Sequence, residues 1–84
     1  MTKRPSPLRA RRLLRGERLL DVARATGLHE TYVSLLERGE RPLHGRPLVR
    51  LADHYRTAAA QLVAEMERWA ARGAENRAAV GARP

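Results

Sequence analysis

The 84-residue chain carries 17 Lys and Arg against 9 Asp and Glu, a net charge of +8, and contains no cysteine. That excludes a disulfide framework, a thiolate zinc site and a thiol nucleophile, and no apolar run approaches the ~18 residues of a membrane span. A domain this short buries roughly 60% of its unfolded surface, enough for one small core but not for a deep catalytic cleft as well, and its positive charge directs it to polyanions, nucleic acid first.

The segment Met1-Thr2-Lys3-Arg4-Pro5-Ser6-Pro7 lacks the apolar centre of a secretory signal, which sets the expectation of a soluble cytoplasmic protein. Residues 1–18 hold seven basic groups against the single acid Glu17, so the excess charge is concentrated there. It reads either as a solvating tail or as an arm (1–5) and first helix laid along phosphates. Ser6 suits a helix N-cap and Pro7 the first helical position. The spacing then predicts a helix through Leu8, Leu13, Leu14 and Arg15, ended by Gly16. A second helix is expected over 19–26, with Val22, Ala23 and Thr26 inward and Gly27 as its stop. A third covers 30–38, with Val33 and Leu36 on one face and Gly39 closing it. After the turn-rich 40–45 loop, Arg46-Pro47 begins a fourth through Leu48, Leu51, Ala52 and Tyr55. The fifth is expected over 58–72 with a stop at Gly73, leaving 73–84 as a disordered tail. No segment alternates like a strand, so the fold class is all-α with five helices.

The window from Leu19 to Arg38 carries the functional signal. Two short helices meet at Gly27, and Ala23 is small enough to let the second approach closely. With Val22, Thr26, Leu28, Val33 and Leu36 turned inward, the outward face of the third helix is His29, Glu30, Thr31, Tyr32, Ser34, Leu35 and Arg38. This is the geometry of a helix-turn-helix, whose second helix enters the major groove of DNA. The spacing also extends beyond the window, through Leu8, Arg12, Gly16, Asp21-Val22-Ala23, Thr26-Gly27-Leu28, Tyr32-Val33-Ser34, Leu36-Glu37-Arg38-Gly39, Arg41-Pro42, Leu48, Leu51-Ala52, Tyr55 and Leu62. Over about 8–62 the chain resembles the Cro and phage-repressor type (XRE-like) helix-turn-helix family, which implies a lambda-repressor-like fold and binding to double-stranded DNA.

The resemblance implies residue roles. Arg12 and Glu37 match a salt bridge that fixes the third helix to the first. Tyr32 matches a phosphate-contacting position, with a partly buried core tyrosine as the alternative. Arg38 and Arg41, with Arg46 assisting, are expected on phosphates; the N-terminal charge excess adds Arg4 and Arg11, and Arg18 is expected to supply by charge the contact of the Gln missing at the start of the second helix. Base reading falls to Glu30, Thr31, Ser34 and Leu35, although Glu30 also suits a helix N-terminus and Leu35 partial burial. The chain departs from the family at Glu17-Arg18-Leu19, where the usual capping residue and phosphate-contacting Gln are missing. His29 stands where a capping Ser or Thr is common, and reads as a group titrating near a phosphate or as a plain surface residue.

Tyr55, Ala59, Leu62, Met66 and Trp69 follow a 4-3-4-3 spacing. Leu62, Met66 and Trp69 are expected as an exposed seam of a symmetric homodimer, the alternative being Trp69 folded back on its own domain. Residues 6–72 thus form a DNA-binding domain with a C-terminal dimerisation helix. No nucleophile motif, metal-ligand spacing among His29, His44 and His54, or phosphate loop is present, so neither an enzyme nor a cofactor or metal is expected. The leading expectation is a dimeric, sequence-specific transcriptional regulator, most simply a nucleoid-associated repressor on a palindromic operator. An antitoxin or accessory subunit with a protein partner is the rival from another class, followed by a nonspecific nucleic-acid-binding protein.

Overall fold

The structure, a computed structural model, describes residues 4–81, with side chains up to position 73. Five helices follow in order: α1 Pro7–Leu14, α2 Leu19–Thr26, α3 Glu30–Glu37, α4 Gly45–His54 and α5 Ala59–Gly81, and the described residues contain no strand. Each start has a local cause. Ser6 caps α1, its Oγ accepting the Arg9 N–H at 3.3 Å, and Pro7 takes the first turn, where a missing N–H costs nothing. At α2, where no usual cap residue is present, the Asp21 carboxylate reaches back to accept the Arg18 backbone N–H at 2.8 Å. That bond holds the Asp21 carboxyl below its ordinary range. At α3, His29 Nδ1 accepts the Thr31 N–H at 3.1 Å, so the imidazole replaces the hydroxyl as cap.

Leu8, Val22, Val33, Leu36, Leu51 and Leu62 form the fully buried centre, with Ala23, Ala52, Tyr55 and Met66 around them. α2 packs on α3 and α4, while α5 lies across α1 and α4. This arrangement corrects the expected dimer seam. Leu62 is 0% and Met66 8% exposed, so both lie inside the single chain's core. Trp69 is half-buried against that core, folded back on its own domain. The helices before α5 are only eight to ten residues long. They leave one side of the core open, and the Leu62–Met66–Trp69 stripe covers it. A second correction concerns the end of α5, which runs to Gly81, past the expected stop at Gly73. Glycine ends a helix by turning left-handed, whereas Gly73 has no positive φ. An interior glycine costs only ~1 kcal/mol against alanine, and the Ala, Glu and Arg residues that follow sustain the helix. Residues 1–3 and 82–84 lie outside the described residues, and with them Lys3 and the ends of the expected arm and tail.

Candidate functional site

The site is built on the α2–α3 corner. Gly27 adopts φ +72°, and a Cβ there would stand 2.9 Å from Arg50 Nη1. That guanidinium donates to the Thr26 carbonyl at 3.2 Å, satisfying the end of α2 from α4. The turn therefore requires glycine for its left-handed conformation, while a Cβ would only push aside the flexible tip of Arg50. Val22, Ala23 and Thr26 of α2 are buried, as are Val33 and Leu36 of α3. The Thr26 hydroxyl donates to the Val22 carbonyl at 2.7 Å, which settles the one polar side chain α2 buries.

The inner side of α3 is anchored by charge as well. Arg12 Nε and Nη2 donate to the two Glu37 oxygens at 2.7 and 3.1 Å, and both residues are buried. The hydrogen bond to Glu37 raises the guanidinium's already high pKa. Arg12 Nη1 also donates to the Glu17 carbonyl at 3.0 Å. Glu17 in turn holds His54 Nε2 at 2.9 Å and Arg15 Nε at 3.2 Å, tying the α1–α2 loop to the end of α4. Burial, with the Glu17 and Glu37 charges adding, pushes the neighbouring Tyr55 phenol well above its ordinary value.

The other side of α3 faces outward. Glu30 and Thr31 are exposed, and Tyr32, Ser34 and Leu35 are half-buried. Tyr32 packs against the core, so its ring supports the helix whatever its hydroxyl reaches. Most of the arginines expected on phosphates are exposed. Arg41 and Arg46 are exposed without an acidic partner among the described residues, and Arg18 and Arg38 make exposed pairs with Asp21 at 3.5 Å and Glu40 at 3.0 Å. Arg11 is placed otherwise: its Nη2 donates to both Glu65 oxygens at 3.0 Å, joining α1 to α5. Burial pushes the Glu65 carboxyl up, but the Arg11 and Gln61 hydrogen bonds outweigh it and leave it below its ordinary range. Among the described residues no group of three or more His, Asp and Glu is placed to hold a metal ion.

Sequence reasoning missed the Arg11–Glu65 and Glu17–His54 pairs, whose members lie 54 and 37 residues apart and carry no local signal. It counted Arg9 among the seven N-terminal basic groups but gave it no individual role; helical spacing puts it one turn before Leu13, and both line the groove between α1 and α3.

Two short helices about a left-handed glycine, with the second anchored inside and polar outside, are what a helix-turn-helix requires. A family described as a helix-turn-helix domain matches residues 7–66. The chain belongs to the helix-turn-helix domain family. Its helices have the lambda-repressor-like arrangement of the Cro and phage-repressor type, with α2 and α3 as the helix-turn-helix pair. A comparison with curated proteins finds no match. Membership in this helix-turn-helix family goes with DNA binding rather than catalysis, and no helix among the described residues is long and apolar enough to cross a membrane.

Proposed function

We propose that the chain is a sequence-specific DNA-binding transcriptional regulator, acting as a repressor that occludes a promoter on the chromosome in the cytoplasm. The observation that carries this reading is the two-sided character of α3. Its inner face is held by Val33, Leu36 and the buried Arg12–Glu37 pair, while Glu30, Thr31, Ser34 and Leu35 lie on the side turned to solvent. Such a helix enters a major groove as a rigid edge: a carboxylate accepts from cytosine N4, and a methyl packs on thymine. Arg18, Arg38, Arg41 and Arg46, with the Tyr32 hydroxyl, grip the phosphates on either side and set the register. Two copies on a palindromic operator give the symmetric form of this reading. Since Leu62 and Met66 of α5 lie in the chain's own core, such pairing uses another surface; among the described residues Leu14 is the most exposed large apolar side chain, at 88%.

Selection from random duplexes followed by footprinting tests the proposal. A defined site should be recovered; featureless recovery favours a nonspecific binder or a protein-interaction role. On the recovered site, Thr31→Ala should change preference at one or two base pairs, whereas Arg41→Ala should weaken binding to every sequence alike. If the two variants behave the same way, the division between base reading and phosphate grip is wrong.

A further inference from the structure

We infer that an open groove between α1 and α3 receives a stretch of the duplex's phosphate backbone, with Arg9 as a contact residue and Trp69 as the positioning residue that holds the Arg4 segment beside it. The inference rests on the DNA-binding reading and adds to it a contact track off the recognition helix. The groove has a volume of about 720 Å³, with Arg4, Arg9 and Leu13 on one side and Ser34 and Arg38 on the other. Its one acidic lining residue is Glu37, which Arg12 already holds in two hydrogen bonds. The exposed Arg4 and Arg9 guanidiniums have no acidic partner among the described residues, and Arg38 has only its exposed pair with Glu40 at 3.0 Å. The lining thus sets the guanidinium forks of Arg4, Arg9 and Arg38, which match phosphate oxygens, among the apolar side chains of Leu13, Leu19 and Trp69. Ser34 and Arg38 belong at once to this groove and to the outward side of α3. A duplex lying on α3 therefore runs one strand along the groove, which favours a phosphodiester over an acidic peptide.

Trp69 gives the track its shape. Its Nε1 donates to the Arg4 carbonyl at 3.3 Å, and its ring covers Gly39 so closely that a Cβ there would stand 3.0 Å from Cζ3. The indole bridges the end of the recognition helix and the segment before α1. Arg4 and Trp69 both lie outside the 7–66 span of the family match, so this clasp is an addition of the chain's own flanks.

The test measures affinity for a mixed-sequence duplex over a range of salt concentrations, with thermal melting alongside, for the parent, Arg9→Ala, Arg4→Ala, Trp69→Phe and the Trp69→Phe/Arg4→Ala double variant. Arg9→Ala should weaken binding several-fold on every sequence and reduce the slope of log K against log salt by about 1, with melting unchanged. Trp69→Phe keeps a ring on Gly39 but removes the N–H, so it should weaken binding no more than Arg4→Ala and add nothing to it in the double variant. A parent that binds while Arg9→Ala and Trp69→Phe keep its affinity and slope overturns this inference alone. Weakening seen with polyglutamate as probe but not with duplex also overturns it, assigning the groove to a carboxylate partner. A parent that binds no duplex overturns the DNA-binding reading and the inference with it.

Discussion

Arg12 and Glu37 are the residues on which the recognition helix depends most. Their side chains are 11% and 5% exposed, so neither charge has water to fall back on if its partner is removed. Glu37→Leu should therefore cost ~3–5 kcal/mol in urea unfolding, while the Arg12→Leu/Glu37→Leu double variant should recover much of that loss. A single-variant cost below ~1 kcal/mol would mean that the pair behaves like an exposed one. Gly27 is the complementary case, a residue whose value lies in what it lacks. Ala there must adopt φ +72° and displace the Arg50 guanidinium from the end of α2, a loss of ~1–2 kcal/mol from the backbone alone. Arg50→Ala in the same background should remove only the steric part. A Gly27→Ala variant with parental stability in thermal melting would contradict this.

At the scale of elements, what was legible is the periodicity of α2 and α3. Val22, Ala23, Thr26, Val33 and Leu36 are inward by spacing and buried in the fold. The α5 stripe shows where periodicity stops being informative. Leu62, Met66 and Trp69 lie on one side of a helix, but spacing does not say whether that side meets another copy or the chain itself. With Leu62 at 0% exposure the answer is the chain's own core, and Leu62→Ala should cost ~2–5 kcal/mol in chemical denaturation. Leu14→Ala, at a position 88% exposed, should change stability by less than ~0.5 kcal/mol. Comparable losses at both positions would place α5 differently. The α3 cap is a second element-scale device. Thr31 N–H has only the His29 imidazole to accept it, so His29→Ala should lower stability by ~1 kcal/mol and His29→Ser should restore it.

Across the whole molecule, ion pairs join separate elements: Arg12 to Glu37 and Arg11 to Glu65 between helices, and Glu17 of the α1–α2 loop to His54 of α4. The Arg11–Glu65 pair and the buried Tyr55 phenol give its stability a pH signature. The Glu65 carboxyl is depressed in the fold, so its contribution is present above its ordinary value of 4.5 and is lost as pH falls through the lower folded value. The Tyr55 phenol is raised, so its contribution is complete below its ordinary value of 10.0 and declines as pH rises beyond that. Melting temperature measured across pH should fall at both edges. Arg11→Met should shrink the acid-side loss and Tyr55→Phe the alkaline one; an acid edge identical in Arg11→Met would remove the Arg11–Glu65 pair from the account.

The sequence by itself determined the five-helix order, the glycine corner between α2 and α3 and the polar outward side of α3, because each follows from local periodicity, capping and chirality within a few residues. Only the tertiary structure decided that α5 closes the core, that Arg11 is spent on Glu65, and that Trp69 joins the Arg4 segment to the end of α3. Those contacts link residues up to 65 positions apart. Their partners are chosen by which faces the packed helices leave open, a property of the assembled core that no single stretch of chain encodes.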